Sequence, residues 1–172
     1  MKVSENVQER LNEAREELKR ADHLLYVSLK YTRTVDVIKS LIDRLINCLE
    51  RLIDTLLAYA QDKKSIKDMP TNSGLRATLC LKLFPDNKVK EIVDFYFSLK
   101  KIKRAEYKRS NEFRRHVTMT VVIEEGVQNI DIDSIKENFE HVAYYLSHVT
   151  FLIGLGEKPE EYVPWNQEKK ED

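Results

Sequence analysis

From Thr34 to Gln61 the chain reads TVDVIKSLIDRLINCLERLIDTLLAYAQ, and this stretch decides what the rest can fold into. Ile38, Ile42, Leu45, Leu49, Leu52, Leu56 and Tyr59 advance in steps of 4, 3, 4, 3, 4 and 3. That is the period of one helix face, with no strand-type alternation to compete with it. A second apolar column, Leu41, Ile46, Ile53, Leu57 and Ala60, makes the stripe wider than a coiled-coil seam. A helix with so wide a stripe touches several neighbours, so the spacing predicts the central helix of a bundle, about 40 Å long.

The flanking segments supply those neighbours. Ser4 can cap a helix over Glu5 to Tyr31, with Val7, Leu11, Ala14, Leu18, Ala21 and Leu25 along one side. From His23 onward that helix turns almost continuously apolar, so its second half should lie deeper than its first. Thr34 is the expected cap of the central helix, and so short a link forces an antiparallel hairpin. Asp68 to Gly74 reads as a loop, followed by a short helix from Leu75 to Leu83. A third long helix should start at Asp86 or Asn87 and reach Lys108, burying Val89, Ile92, Val93, Tyr96, Leu99 and Ile102.

His116 to Ile123 is rich in β-branched residues, and Glu124-Glu125-Gly126 can turn it back into Val127 to Ile132. The last helix should start at Asp133 or Ser134, with Ser134 and Glu137 spaced as a capping box. It buries Val142 and Leu146, and Gly154 and Gly156 stop it. The expected class is all-α: an antiparallel bundle of four main helices, a short extra helix, and a small β-hairpin before the last helix. Residues 1–156 form one helical-bundle domain, and 157–172 a charged, partly disordered tail whose Pro159, Tyr162, Pro164 and Trp165 can tether its first part.

Only 4 Gly and 4 Pro among 172 residues argue against a β-sandwich or a disordered chain. Lys plus Arg equals Asp plus Glu, 29 of each, so any attraction for nucleic acid or an anionic membrane must be local. The charged start is not a signal peptide, and the longest uncharged run, 16 residues from His141, is short of the roughly 20 a spanning helix needs. The expectation is a cytoplasmic protein with no membrane partner, with Cys48 and Cys80 as buried free thiols.

The sharpest chemical feature is Lys100 to His116, KKIKRAEYKRSNEFRRH. Lys100, Lys101, Lys103, Arg104, Lys108, Arg109, Arg114 and Arg115 face only Glu106 and Glu112, a net +6, with Tyr107 and Phe113 interleaved. Such a mixture grips phosphates and stacks on bases. The competing reading is neutralisation by Glu124 to Glu140, which carries a net −5. His141 and His148 lie on one helix side without a third ligand, and His23 could join them only through the fold. Asp36, Asp43 and Glu50 recur every seven residues, as ion pairs on a bundle rim would. No HExxH, ExxH, GxGxxG or P-loop pattern occurs, so neither a metal nor a cofactor is expected.

Two stretches, HLLYVSLKYTRTVDVIKSLIDRLINCLERLIDTLLAYAQDKKSI (23–66) and YKRSNEFRRHVTMTVVI (107–123), give the chain a likeness to known proteins. It resembles a small uncharacterised archaeal family of helical bundles, loosely HEPN-like. Many HEPN domains accompany nucleotidyltransferases or act on RNA, and their ribonucleases use an Arg, four to six residues, then a His. Arg109 and His116, with six residues between them, match that pattern at its outer limit. Such a pair shares a face only if one helix continues through both, and the β-like run from His116 predicts that it does not. The expected function is therefore a non-catalytic HEPN-like module for protein–protein interaction or self-association, with a protein partner or a homodimer. The alternative is an RNA-binding or RNA-cleaving protein that uses segment 100–116, with Arg109 and His116 as its catalytic residues.

Overall fold

A computed structural model describes residues 2–163. Helix α1 runs over Glu5–His23, loosens into a π-helical turn at Leu24–Ser28 and closes with Leu29–Tyr31. Helices α2 (Val35–Asp62), α3 (Ser73–Leu83) and α4 (Asn87–Arg104) follow. Strands β1 (Tyr107–Ser110), β2 (Thr118–Ile123) and β3 (Gly126–Ile130) lead into α5 (Ile132–Leu152). The fold is mostly helical and carries a small antiparallel sheet of order β1-β2-β3.

Helix α2 is the centre, as its double stripe requires. Both apolar columns are buried but for the half-buried Tyr59, Ile38, Leu45, Leu49 and Leu56 completely, and α2 touches all four other helices. Its start is set by Thr34, whose hydroxyl accepts the Val37 amide at 3.4 Å. The α1–α2 hairpin is antiparallel: Glu17 meets Arg44, Glu13 meets Arg51 and Arg10 meets Asp54. Helices α4 and α5 run antiparallel in the same way, with Phe95 against His141 and Asp86 against His148.

The structure departs from the sequence reading in several places. Helix α4 ends at Arg104, because Ala105 turns extended and Tyr107–Ser110 pairs with β2, Arg109 opposite Met119 and Ser110 opposite Thr118. The expected hairpin is thus two strands of a three-stranded sheet, so the mostly helical bundle carries one strand more than the sequence predicts. Nothing local marks β1: its polar residues gain their strand only from β2. The last helix begins at Ile132, and its capping box joins Asp131 to Ser134, not Ser134 to Glu137. On this helix Val142, Tyr145, His148 and Val149 are buried while Leu146 is only half-buried, a rotation of the expected seam.

The second half of α1 does not lie deeper than the first. Within the π turn Leu25 points inward, while Tyr26 and Val27 are 48% and 41% exposed. The wider turn, with hydrogen bonds five residues apart, changes which side chains face the core. The sheet stands on α2 and α4 through Val117, Met119, Val121 and Ile130, all buried. Beyond α5, the Tyr162 ring lies 4.3 Å from that of His141 and its hydroxyl donates to Glu140 at 3.2 Å, so this part of the tail is tethered. Pro164, Trp165 and the end of the tail lie outside the described residues. No described helix is long and apolar enough to cross a membrane.

Candidate nucleic-acid interface

The basic segment is divided among three elements. Lys100, Lys101, Lys103 and Arg104 form the last turn of α4, where cations complement the negative end of the helix dipole. Lys108 and Arg109 lie on β1, and Arg114, Arg115 and His116 in the β1–β2 loop. Their partners decide between a neutralised block and a binding surface. Lys101 bonds Glu125 at 2.9 Å, which raises its ammonium pKa. Lys103 bonds Asp43 at 3.0 Å, and the Lys100 ammonium sits 5.1 Å over the Tyr96 ring. Among the described residues only the Lys101–Glu125 ion pair joins the basic block to the acidic one. Among the described residues the side chains of Arg104, Lys108, Arg114 and Arg115 have neither a hydrogen bond nor an ion pair. The α4 end also borders a groove lined by Asn72, Ser73, Gly74 and Phe97.

Arg109 is held very differently. From β1 it donates to Asp36 on α2 at 2.9 Å, to Glu112 at 3.1 Å and to the Tyr107 hydroxyl at 3.0 Å. Lys39, one turn along α2, donates to the same hydroxyl at 3.2 Å and lies 4.3 Å over the ring. The Lys39 hydrogen bond, with help from Arg109, pulls the Tyr107 phenol below its usual range. The hydrogen bond from Arg109 likewise holds the Asp36 carboxyl down. The stripe of Asp36, Asp43 and Glu50 on α2 is therefore a row of interhelical and helix–sheet ion pairs, Glu50 reaching Arg76 at 3.7 Å. His116 is exposed in the loop and Arg109 is on a strand, so no helix presents the two on one face.

The β1–β2 loop combines an unusual backbone with exposed side chains. Asn111 and Phe113 both adopt positive φ, +54° and +65°, a region that disfavours a bulky side chain. The Phe113 amide donates to the Arg33 carbonyl at 2.6 Å, tying the loop to the α1–α2 link. This geometry leaves the Phe113 ring 75% exposed, and Tyr31, at the end of α1, is 79% exposed. The Phe113 ring thus stands in solvent, followed in the chain by the uncommitted Arg114 and Arg115. Arg33, Arg115, His116, Thr118, Asp131, Ile132 and Asp133 line a pocket of about 330 Å³.

The histidines of α5 have other duties. His148 is buried and its Nε2 lies 3.1 Å from Asp86, whose carboxylate caps α4 by accepting the Lys88 and Val89 amides. His141 sits among Phe95, Tyr145 and Tyr162, and His23 is on the surface of α1. No group of three or more metal-ligating side chains converges among the described residues. Both cysteines are free and buried, and burial raises both thiols, Cys80 to about 12.

The basic segment is legible in the sequence, and Asp36 is readable there as a rim ion pair, but the partners that sort the segment are not. Asp36, Lys39 and Arg33 belong to the site through contacts that cross 68 to 80 positions of chain, which no local spacing records. The π turn and the exposure of Tyr31 also had no readable signal, since an apolar run looks the same whether or not the helix widens. Comparison of the chain with protein-family models, curated proteins and solved structures returns no match.

Proposed function

We propose that the chain is a non-catalytic module that binds single-stranded RNA at the end of the bundle formed by the α1–α2 link and the β1–β2 loop. The observation that carries this reading is Phe113, held out at positive φ next to arginines that no carboxylate among the described residues neutralises. An exposed ring gives a base a stacking surface, and free guanidiniums hold the phosphates on either side. The HEPN-like resemblance of residues 23–66 and 107–123 supports RNA as the ligand. The absence of catalysis is inferred from Arg109, whose donors go to Asp36, Glu112 and Tyr107 and not to a phosphate.

The test is fluorescence anisotropy with a labelled single-stranded RNA over a range of salt. Four free cations, Arg104, Lys108, Arg114 and Arg115, predict a log–log slope of about −3, at roughly −0.7 per phosphate contact. Arg114→Ala with Arg115→Ala should flatten that slope by about 1.4. Phe113→Ala should weaken binding about 5-fold or more while leaving the slope unchanged, because stacking releases no counterions. A slope near zero, or no binding at low salt, would overturn the proposal.

A second reading, association with a protein or with itself, is favoured by one feature. Val122 and Val127 face each other across β2 and β3 with 68% and 65% of their surfaces exposed. Sedimentation of the wild type against Val122→Thr would detect a dimer built on that pair.

A further inference from the structure

The pocket beneath the β1–β2 loop has a lining that the chain's own interactions do not explain. Arg33, Arg115 and His116 bring donors to it, while Asp131 and Asp133 bring carboxylates from the start of α5. Opposite charges sharing about 330 Å³ would be expected to pair, yet no ion pair within 4.0 Å joins them. The Arg33 Nε is buried and has no hydrogen-bond partner. Asp131 accepts the Ser134 amide on its Oδ1 at 2.8 Å as a helix cap, but Asp133 has no partner among the described residues. The lining therefore combines an unpartnered, buried Arg33 Nε with the exposed, unpaired carboxylate of Asp133. A ligand that carries an anion at one end and two adjacent donors at the other would satisfy both.

We propose that this pocket takes a guanine nucleotide of the bound RNA, a specificity that rests on the RNA-binding reading above. Guanine alone among the four bases presents two neighbouring donors, N1–H and the exocyclic N2 amine, to a single carboxylate. Asp133 accepts both, a two-pronged charge-assisted contact. Adenine and cytosine set a lone pair beside their amine, and uracil flanks its one N–H with carbonyls, so each would turn an acceptor toward Asp133. Arg33 and Arg115 hold the adjoining phosphate. The Phe113 amide is bonded to the Arg33 carbonyl, so the ring that stacks the next base is fixed to the same residue that holds this phosphate. The volume is at the lower end of what small-molecule pockets provide, suited to one nucleotide and not to a duplex.

The experiment compares three single-stranded RNAs that differ at one central position, guanosine, inosine or adenosine, on the full chain. Inosine lacks only the N2 amine. Guanosine should bind about 10-fold more tightly than inosine, and Asp133→Asn should bring the two together. Arg115→Ala should weaken all three by the same factor. Asp133 is exposed, so its variant should keep the wild-type circular dichroism and melting point; should it fail to fold, the wild-type comparison of guanosine with inosine stands alone. Equal binding of all three RNAs would overturn the guanine assignment while the RNA-binding reading survives. Titration of free GMP and IMP separates the opposite case. If no RNA binds but GMP binds over IMP, the pocket assignment holds and the RNA reading fails. If neither nucleotides nor RNAs bind, both fall.

Discussion

Phe113 combines two unfavourable choices at one position, a left-handed backbone and a ring left in water. Phe113→Gly should therefore raise stability in urea unfolding by roughly 0.5–1 kcal/mol, glycine's looser unfolded chain offsetting part of the relief. The same change should weaken RNA binding, and a loss of both stability and binding would show the ring to be structural. His141 offers a residue-scale test in pH. Burial holds its imidazole below the usual 6.5, against the upward pull of Glu137, Glu91 and Glu140. The folded chain thus keeps His141 neutral while the unfolded chain protonates, so its stabilising share is complete above 6.5 and shrinks as the pH falls below it. His141→Phe keeps the ring contacts with Tyr162 and Tyr145. Its melting point should drop less between about pH 7.5 and 5.5 than that of the wild type. Neither property was legible in the sequence. A φ angle and a desolvated imidazole depend on what surrounds the residue, whereas the free, buried state of Cys48 and Cys80 was readable from their apolar neighbours.

At the scale of elements, legibility followed periodicity. The 4-3 spacing of α2 and the face of α4 repeat over many residues, and every residue of the expected α4 face is buried. Leu49, with none of its surface exposed, lies midway along α2. Leu49→Ala should cost about 2–5 kcal/mol in chemical denaturation, and an unchanged midpoint would mean that α2 is not the centre of the core. Strand β1 was hidden for the opposite reason. Its four residues are too few to repeat a pattern, and the forces that order Tyr107 and Arg109 come from β2 and α2. The helix ends fared better where a local rule governs them. Ser4 and Thr34 accept amides as caps, and Gly154 takes the positive φ, +82°, at which α5 stops.

For the whole molecule, the balanced 29 cations and 29 anions conceal an uneven distribution. One end of the bundle keeps arginines without partners. Toward the other, α1, α2 and α3 meet at Asp54, 1% exposed, with Arg51 at 3.0 Å, Arg76 at 3.1 Å and Arg10 at 4.0 Å. Burial pushes the Asp54 carboxyl up while Arg76, Arg51 and Arg10 oppose that shift. Cations that build the fold, Arg109 among them, thus stand beside cations without a described partner, and under the proposed function only the latter should respond to salt through RNA. The π turn bears on how length changes would be tolerated. Each residue of an α-helix advances by about 100°, so deleting one from an ordinary stretch of α1, such as Glu16, rotates everything beyond it off its partners. Leu24–Ser28 already contains one residue more than an α-helical turn would use. Deleting Val27 should let this turn relax to regular α-helix with Tyr31 and Arg33 still in phase, so that circular dichroism and thermal melting find the shortened chain folded where the Glu16 deletion is not.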